Sequence, residues 1–135
     1  MITEDELWRF RQAGFEMAAV KMQIRELTAT MDGLKAQQIS DMPRGNNGPH
    51  SAVEDVIIRL EDLRELYARK LSAWYTRQAE IEAAMEALVP QEATVIRLYY
   101  FNCERRWKDV AKKAGTDPRN LRRIKESALK KMLEN

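Results

Sequence analysis

Residues Trp107–Leu129 read WKDVAKKAGTDPRNLRRIKESAL, and this stretch decides how the chain folds. Val110 and Ala114 lie four apart on one face of a helix, and Ala111 is small enough to let a second helix cross closely. Gly115 follows where a helix ends on a left-handed residue, a conformation glycine adopts without strain. Asp117 then supplies an N-cap, and Pro118 takes the first helical position, where its missing N–H costs nothing. Leu121, Ile124, Ala128 and Leu129 resume at helical spacing and face inward. A small residue, a glycine and two aliphatics at the spacing Ala111, Gly115, Leu121 and Ile124 predict a helix-turn-helix.

The other face of the second helix suggests a partner. Arg119, Asn120, Arg122 and Arg123 lie near its start, the end that enters the major groove in such motifs. Arginine pairs bidentately with guanine and asparagine with adenine, so these four are the candidate base contacts. Arg105, Arg106, Lys112, Lys113, Lys125 and Lys130 flank them, with Lys131 beside, and are placed to neutralise phosphates. A solvated basic face on an ordinary three-helix core is the plainer reading. The coincidence of corner, cap and basic face favours double-stranded DNA.

Upstream, Pro90 opens a compact amphipathic set, Val95, Ile96, Leu98, Tyr99 and Phe101, that completes a small helical domain over residues 90–135. Residues 1–89 have a different pattern. Thr3-Glu4-Asp5-Glu6 has the form of a capping box. Phe10, Ala13, Met17, Val20, Ile24, Leu27, Met31 and Leu34 then recur at alternating threes and fours, the 3.5-residue period of a coiled-coil seam. Gly14 should weaken this helix by about 1 kcal/mol relative to alanine. Two glycines and two prolines fall in the stretch 40–50, which reads as a loop. A second capping box, Ser51-Ala52-Val53-Glu54, precedes another stripe of Val53, Ile57, Leu60, Arg64, Tyr67, Leu71, Trp74, Gln78, Ile81, Met85 and Leu88. Val56, Leu63 and Leu66 widen it.

The expected fold is all-α: a long antiparallel coiled-coil hairpin over 1–89, then a three-helix helix-turn-helix domain over 90–135. The hairpin should set Leu34 near Ile57, Ile24 near Tyr67 and Met17 near Trp74. A two-helix hairpin buries little alone, so the widened stripe is expected to make a homodimer. Arg64 and Gln78, polar at seam positions, are read as register markers.

Composition supports this division. The net charge of the 135 residues is +2, from 23 basic and 21 acidic side chains. Residues 1–89 carry 11 basic and 15 acidic side chains, and residues 90–135 carry 12 and 6. An acidic carrier thus holds a basic module, an asymmetry that points to an anionic partner. One cysteine, Cys103, and one histidine, His50, leave no disulfide framework and no zinc cluster. No nucleophile–base pair is suggested by spacing, so neither enzyme nor cofactor is expected, and Cys103 reads as a small buried hydrophobe. No apolar run reaches membrane-span length and the start is acidic, so a cytoplasmic protein is expected.

Leu88, Glu92, Val95, Val110-Ala111, Gly115, Leu121, Ile124 and the closing Ala128-Leu129-Lys130-Lys131-Met132 resemble region 4 of sigma-70 factors. The fuller resemblance takes in Ser40-Asp41-Met42-Pro43-Arg44-Gly45, Glu54-Asp55 on a long helix, and a Trp-led helix-turn-helix. On these the chain resembles phage-encoded ArpU/RinA-like transcriptional regulators. That resemblance implies a DNA-binding activator of late phage or prophage operons, with sigma-like contact to promoter or host RNA polymerase. In place of the glycine often found before the Trp-led helix stands Asn102-Cys103-Glu104, and the second helix opens on Asp-Pro where serine is common. The competing reading is a coiled-coil interaction protein that binds RNA polymerase or a packaging component, as a small terminase does, with no promoter specificity of its own.

Overall fold

The computed structural model describes residues 1–40 and 51–134, with the side chains of 38–40 left aside. Within them the chain is all-α: α1 (Glu4–Ser40), α2 (Ala52–Ala84), α3 (Pro90–Ile96), α4 (Trp107–Lys113) and α5 (Pro118–Glu134). A 3-10 turn, Met85–Ala87, ends α2, and a π-helical turn, Arg97–Phe101, extends α3. Among the described residues no helix is long and apolar enough to cross a membrane. The expected reversal loop, the 41–45 part of the SDMPRG motif, and His50 lie outside the described residues.

Both long helices begin on the expected caps. Thr3 Oγ1 accepts the Glu6 N–H at 3.1 Å and Ser51 Oγ accepts the Glu54 N–H at 3.1 Å. The Thr3 box is not closed reciprocally, because the Glu6 carboxylate turns to Arg77 instead.

The chain forms two compact units, Met17–Leu71 and Met1–Glu16 with Ser72–Asn135. The composition boundary at 89/90 therefore runs inside the second of these. In Met17–Leu71, Met17, Val20, Leu60 and Leu63 are buried, and Ile24, Leu27, Met31, Leu34, Val56 and Tyr67 are half-buried. The α1 stripe thus faces inward as its spacing demands. The α2 stripe needs correction: Ile57 is 37% exposed and Arg64 is exposed. The inward row of early α2 is Val53, Val56, Leu60, Leu63 and Tyr67, which keeps the three–four alternation. The row through Ile57 and Arg64 alternates equally well, in fours and threes, so burial rather than spacing separates the two.

The other unit has one core made from both ends of the chain. Ile2, Leu7 and Phe10 of the N-terminus pack with Ile81, Ala84, Met85, Val95, Ile96, Tyr100, Val110, Leu121, Ala128 and Met132. Phe10 stacks on Trp74 with ring centroids 4.5 Å apart, and Arg77 pairs with Glu6. Rising numbers in α1 therefore meet falling numbers in α2, as an antiparallel pair requires. The Ile2 N–H donates to the Met132 carbonyl at 3.0 Å, tying the start of the chain to α5. Gly14, unfavourable within a helix, has a packing reason: a Cβ there would lie 3.2 Å from Cys103 Sγ and 3.7 Å from Trp74 Nε1.

Two buried charges join the pieces of this unit. Glu92 of α3 accepts from Ser127 Oγ at 2.6 Å and Lys131 Nζ at 2.8 Å on α5, and from the Val89 N–H at 3.0 Å. Burial alone would raise its pKa. The hydrogen bonds from Lys131, Ser127 and Val89 outweigh that and hold the carboxyl below its ordinary value. Arg11 of α1, only 5% exposed, donates to the Tyr99 carbonyl at 3.0 Å and the Glu104 carbonyl at 2.7 Å. Its guanidinium lies over the rings of Tyr99 and Phe15, 4.1 and 4.8 Å from their centroids. A planar cation of this kind satisfies carbonyls and aromatic faces together, which an ammonium does less well.

Candidate nucleic-acid interface

The corner between α4 and α5 follows from its residues one by one. Gly115 has φ +72, the left-handed value, and nothing crowds its missing side chain. The Thr116 N–H reaches back to the Ala111 carbonyl at 2.9 Å and the Gly115 N–H to Lys112 at 3.2 Å, closing the last turn of α4. Asp117 Oδ1 accepts the Asn120 N–H at 2.8 Å, the N-cap of α5, with Pro118 as its first residue. The connector before α4 turns differently. The π-turn is closed by the Asn102 N–H on the Arg97 carbonyl at 2.8 Å. Cys103 then takes φ +56, which no other described non-glycine residue does. The π-turn directs both Tyr99 and Tyr100 inward, and Tyr99 stacks on Trp107 at 3.7 Å. That stack sets the start of α4.

Leu121, Ala128 and Met132 are buried and Ile124 half-buried, so the opposite face of α5 is solvated. Arg119, Arg122, Arg123 and Lys130 share that outward face with Glu126 and are exposed. From Arg119 to Lys130 the stripe is about 16 Å long at 1.5 Å per residue. Arg122 reaches Glu126 at 3.3 Å, an exposed i,i+4 pair worth only a few tenths of a kcal/mol, roughly, and easily given up. Arg105, Arg106 and Lys112 are exposed beside it, as is Lys113, which pairs with Glu104.

Three residues are placed otherwise than their outward role expects. Asn120 is half-buried; its amide donates to Thr116 Oγ1 at 3.1 Å and its oxygen accepts from Arg123 at 3.1 Å. It therefore braces the corner and orients Arg123. Lys125 turns from the outward stripe toward α4, 4.5 Å above the Trp107 ring and 3.6 Å from Glu4. Lys131 is engaged by Glu92. Sequence reasoning missed Arg11 and Lys108, the latter exposed at the start of α4, and took Glu92 only as a point of resemblance without its buried, bracing role. Periodicity carries no signal for a buried charge, because such a residue occupies an apolar position of the pattern.

Cys103 is half-buried, and burial pushes its thiol pKa up, with Arg11 opposing. Among the described residues no group of three or more His, Cys, Asp or Glu side chains is placed to hold a metal.

Fold and corner define the class: an all-α protein built on two long helices, followed by shorter helices of which the last carries an arginine-rich outer face. Within that class the chain belongs to the family described as "protein of unknown function (DUF722)", whose model matches residues 15–135. No curated protein and no solved structure matches the chain.

Proposed function

We propose that the chain is a sequence-specific double-stranded DNA-binding regulator of transcription, acting as a homodimer in the host cytoplasm on phage or prophage late genes. One observation carries the reading: Arg119, Arg122 and Arg123 stand exposed on the first turns of a helix presented by a glycine corner. B-DNA's major groove, about 12 Å wide, admits a single helix, and arginine is the commonest reader of guanine there. Lys112, Arg105 and Arg106 beside the corner supply phosphate contacts, and Asn120 serves by aiming Arg123. The apolar residues that early α2 leaves exposed, Ile57 and Ile58, supply the dimer contact. The regulated genes, and any contact with host RNA polymerase, rest on the resemblance described above.

The test is duplex binding measured across salt concentrations. Affinity falls steeply with salt, with a slope of about −0.9 per phosphate contact. Arg122→Ala and Arg123→Ala each lose about 1–3 kcal/mol on the preferred site and relax specificity there, with helical content unchanged. Wild-type affinity in both variants refutes the assignment of α5.

A further inference from the structure

A recess of about 400 Å³ lies between the start of α4 and the first two turns of α5, bounded by Trp107, Lys108, Pro118, Leu121, Arg122 and Lys125. That size is within the roughly 300–1,000 Å³ of sites that enclose a ligand. Its walls are rigid. Trp107 is stacked on Tyr99, Leu121 is buried in the core, and Pro118 is locked at the helix start. Its rim is cationic, with Lys108, Arg122 and Lys125 and no carboxylate among the bounding residues. Two rim cations already hold an exposed carboxylate: Lys125 sits 3.6 Å from Glu4 and Arg122 lies 3.3 Å from Glu126.

We propose that this recess docks an acidic segment of a protein partner, one in which large apolar side chains are flanked by Asp or Glu. The rim alone would suit any anion. The apolar walls discriminate, because a phosphodiester strand offers charge but no side chain to fill a cavity between Trp107 and Leu121. Tryptophan and arginine beside an apolar recess are also the residues that dominate protein–protein binding energy. The docking goes beyond the DNA reading and does not depend on it. Where the DNA reading holds, Arg122 belongs to both surfaces, so such a partner and duplex DNA exclude one another.

The test uses the full chain, isotopically labelled, titrated with a blocked twelve-residue peptide that alternates Glu or Asp with Leu or Phe. Shifts are expected at the Trp107 indole N–H and the Lys108, Leu121 and Lys125 amides. Lys108→Glu, an exposed position outside the core, weakens binding by about three- to tenfold through charge reversal at the rim. Two control peptides complete the design. One has Ser for Leu and Phe, and the other has Lys for Glu and Asp; both are expected to bind far more weakly. No shift at these groups overturns the proposal, and so does an unaltered Lys108→Glu. Equal binding of the Ser peptide also overturns it and makes the recess a seat for anions such as the DNA backbone. Equal binding of the Lys peptide reduces it to apolar adhesion.

Discussion

Leu7 belongs by sequence to the long first helix, yet it is fully buried in the core that contains Val110, Leu121 and Met132. Leu7→Ala therefore unsettles the α4–α5 corner from more than a hundred residues away. Deleting the buried leucine atoms costs about 2–5 kcal/mol, at the upper end where neighbours cannot collapse into the space. Here the neighbours are Phe10, held between Trp74 and Phe101, and the helices pinned by Glu92, so little collapse is available. In a unit of this size each kcal/mol shifts the midpoint by roughly 4–8 °C, so a loss of at least about 10 °C is expected. Thermal denaturation followed by circular dichroism gives the midpoint. Hydrogen exchange at the Val95, Val110 and Ala128 amides shows whether the C-terminal core loosens with it. Wild-type protection at those amides, with only the first turns of α1 frayed, would refute the claim that both chain ends share one core.

The corner and the buried carboxylate give two further tests. Gly115→Ala meets no steric contact, so its cost is the left-handed backbone alone, about 1–2 kcal/mol in a denaturant titration; a neutral result would place the corner's geometry elsewhere. Glu92, held below its ordinary 4.5, contributes stability that is complete above the unfolded-state pKa and is lost as pH falls through the lower folded value. Acid denaturation of the wild type should accordingly steepen below about pH 4.5, while Glu92→Gln shows a flatter acid limb from a lower plateau; identical acid limbs would show that the Lys131 and Ser127 bonds carry no such stability.

Much of this architecture was legible because it rests on local rules. The Thr3, Ser51 and Asp117 caps, the Gly115 corner, Pro118 at the helix start and the α1 stripe each follow from residue chemistry within a few positions. The inner row of early α2 was misread because Val56 and Ile57, or Leu63 and Arg64, offer two rows one residue apart. Only packing chooses between them. The shared core of the two chain ends was hidden for a different reason. Leu7 lies one turn before Phe10 and Ile2 precedes α1, and nothing local says that they also cover α5. On the interface, the outward arginines were readable from helical phase. The inward turn of Lys125 was not, because it depends on Trp107 and Glu4 meeting across three helices. The bond between Asn120 and Thr116 is local, yet either an outward or a bracing amide satisfies the same spacing.

The central claim is that α5 reads duplex DNA, and selection of bound sequences from a randomised duplex pool tests it most directly. The account predicts enrichment of a guanine-containing motif, repeated with two-fold symmetry for a dimer and lost with Arg122→Ala and Arg123→Ala combined. A pool that stays random after repeated rounds, or a motif retained by the double variant, would contradict it.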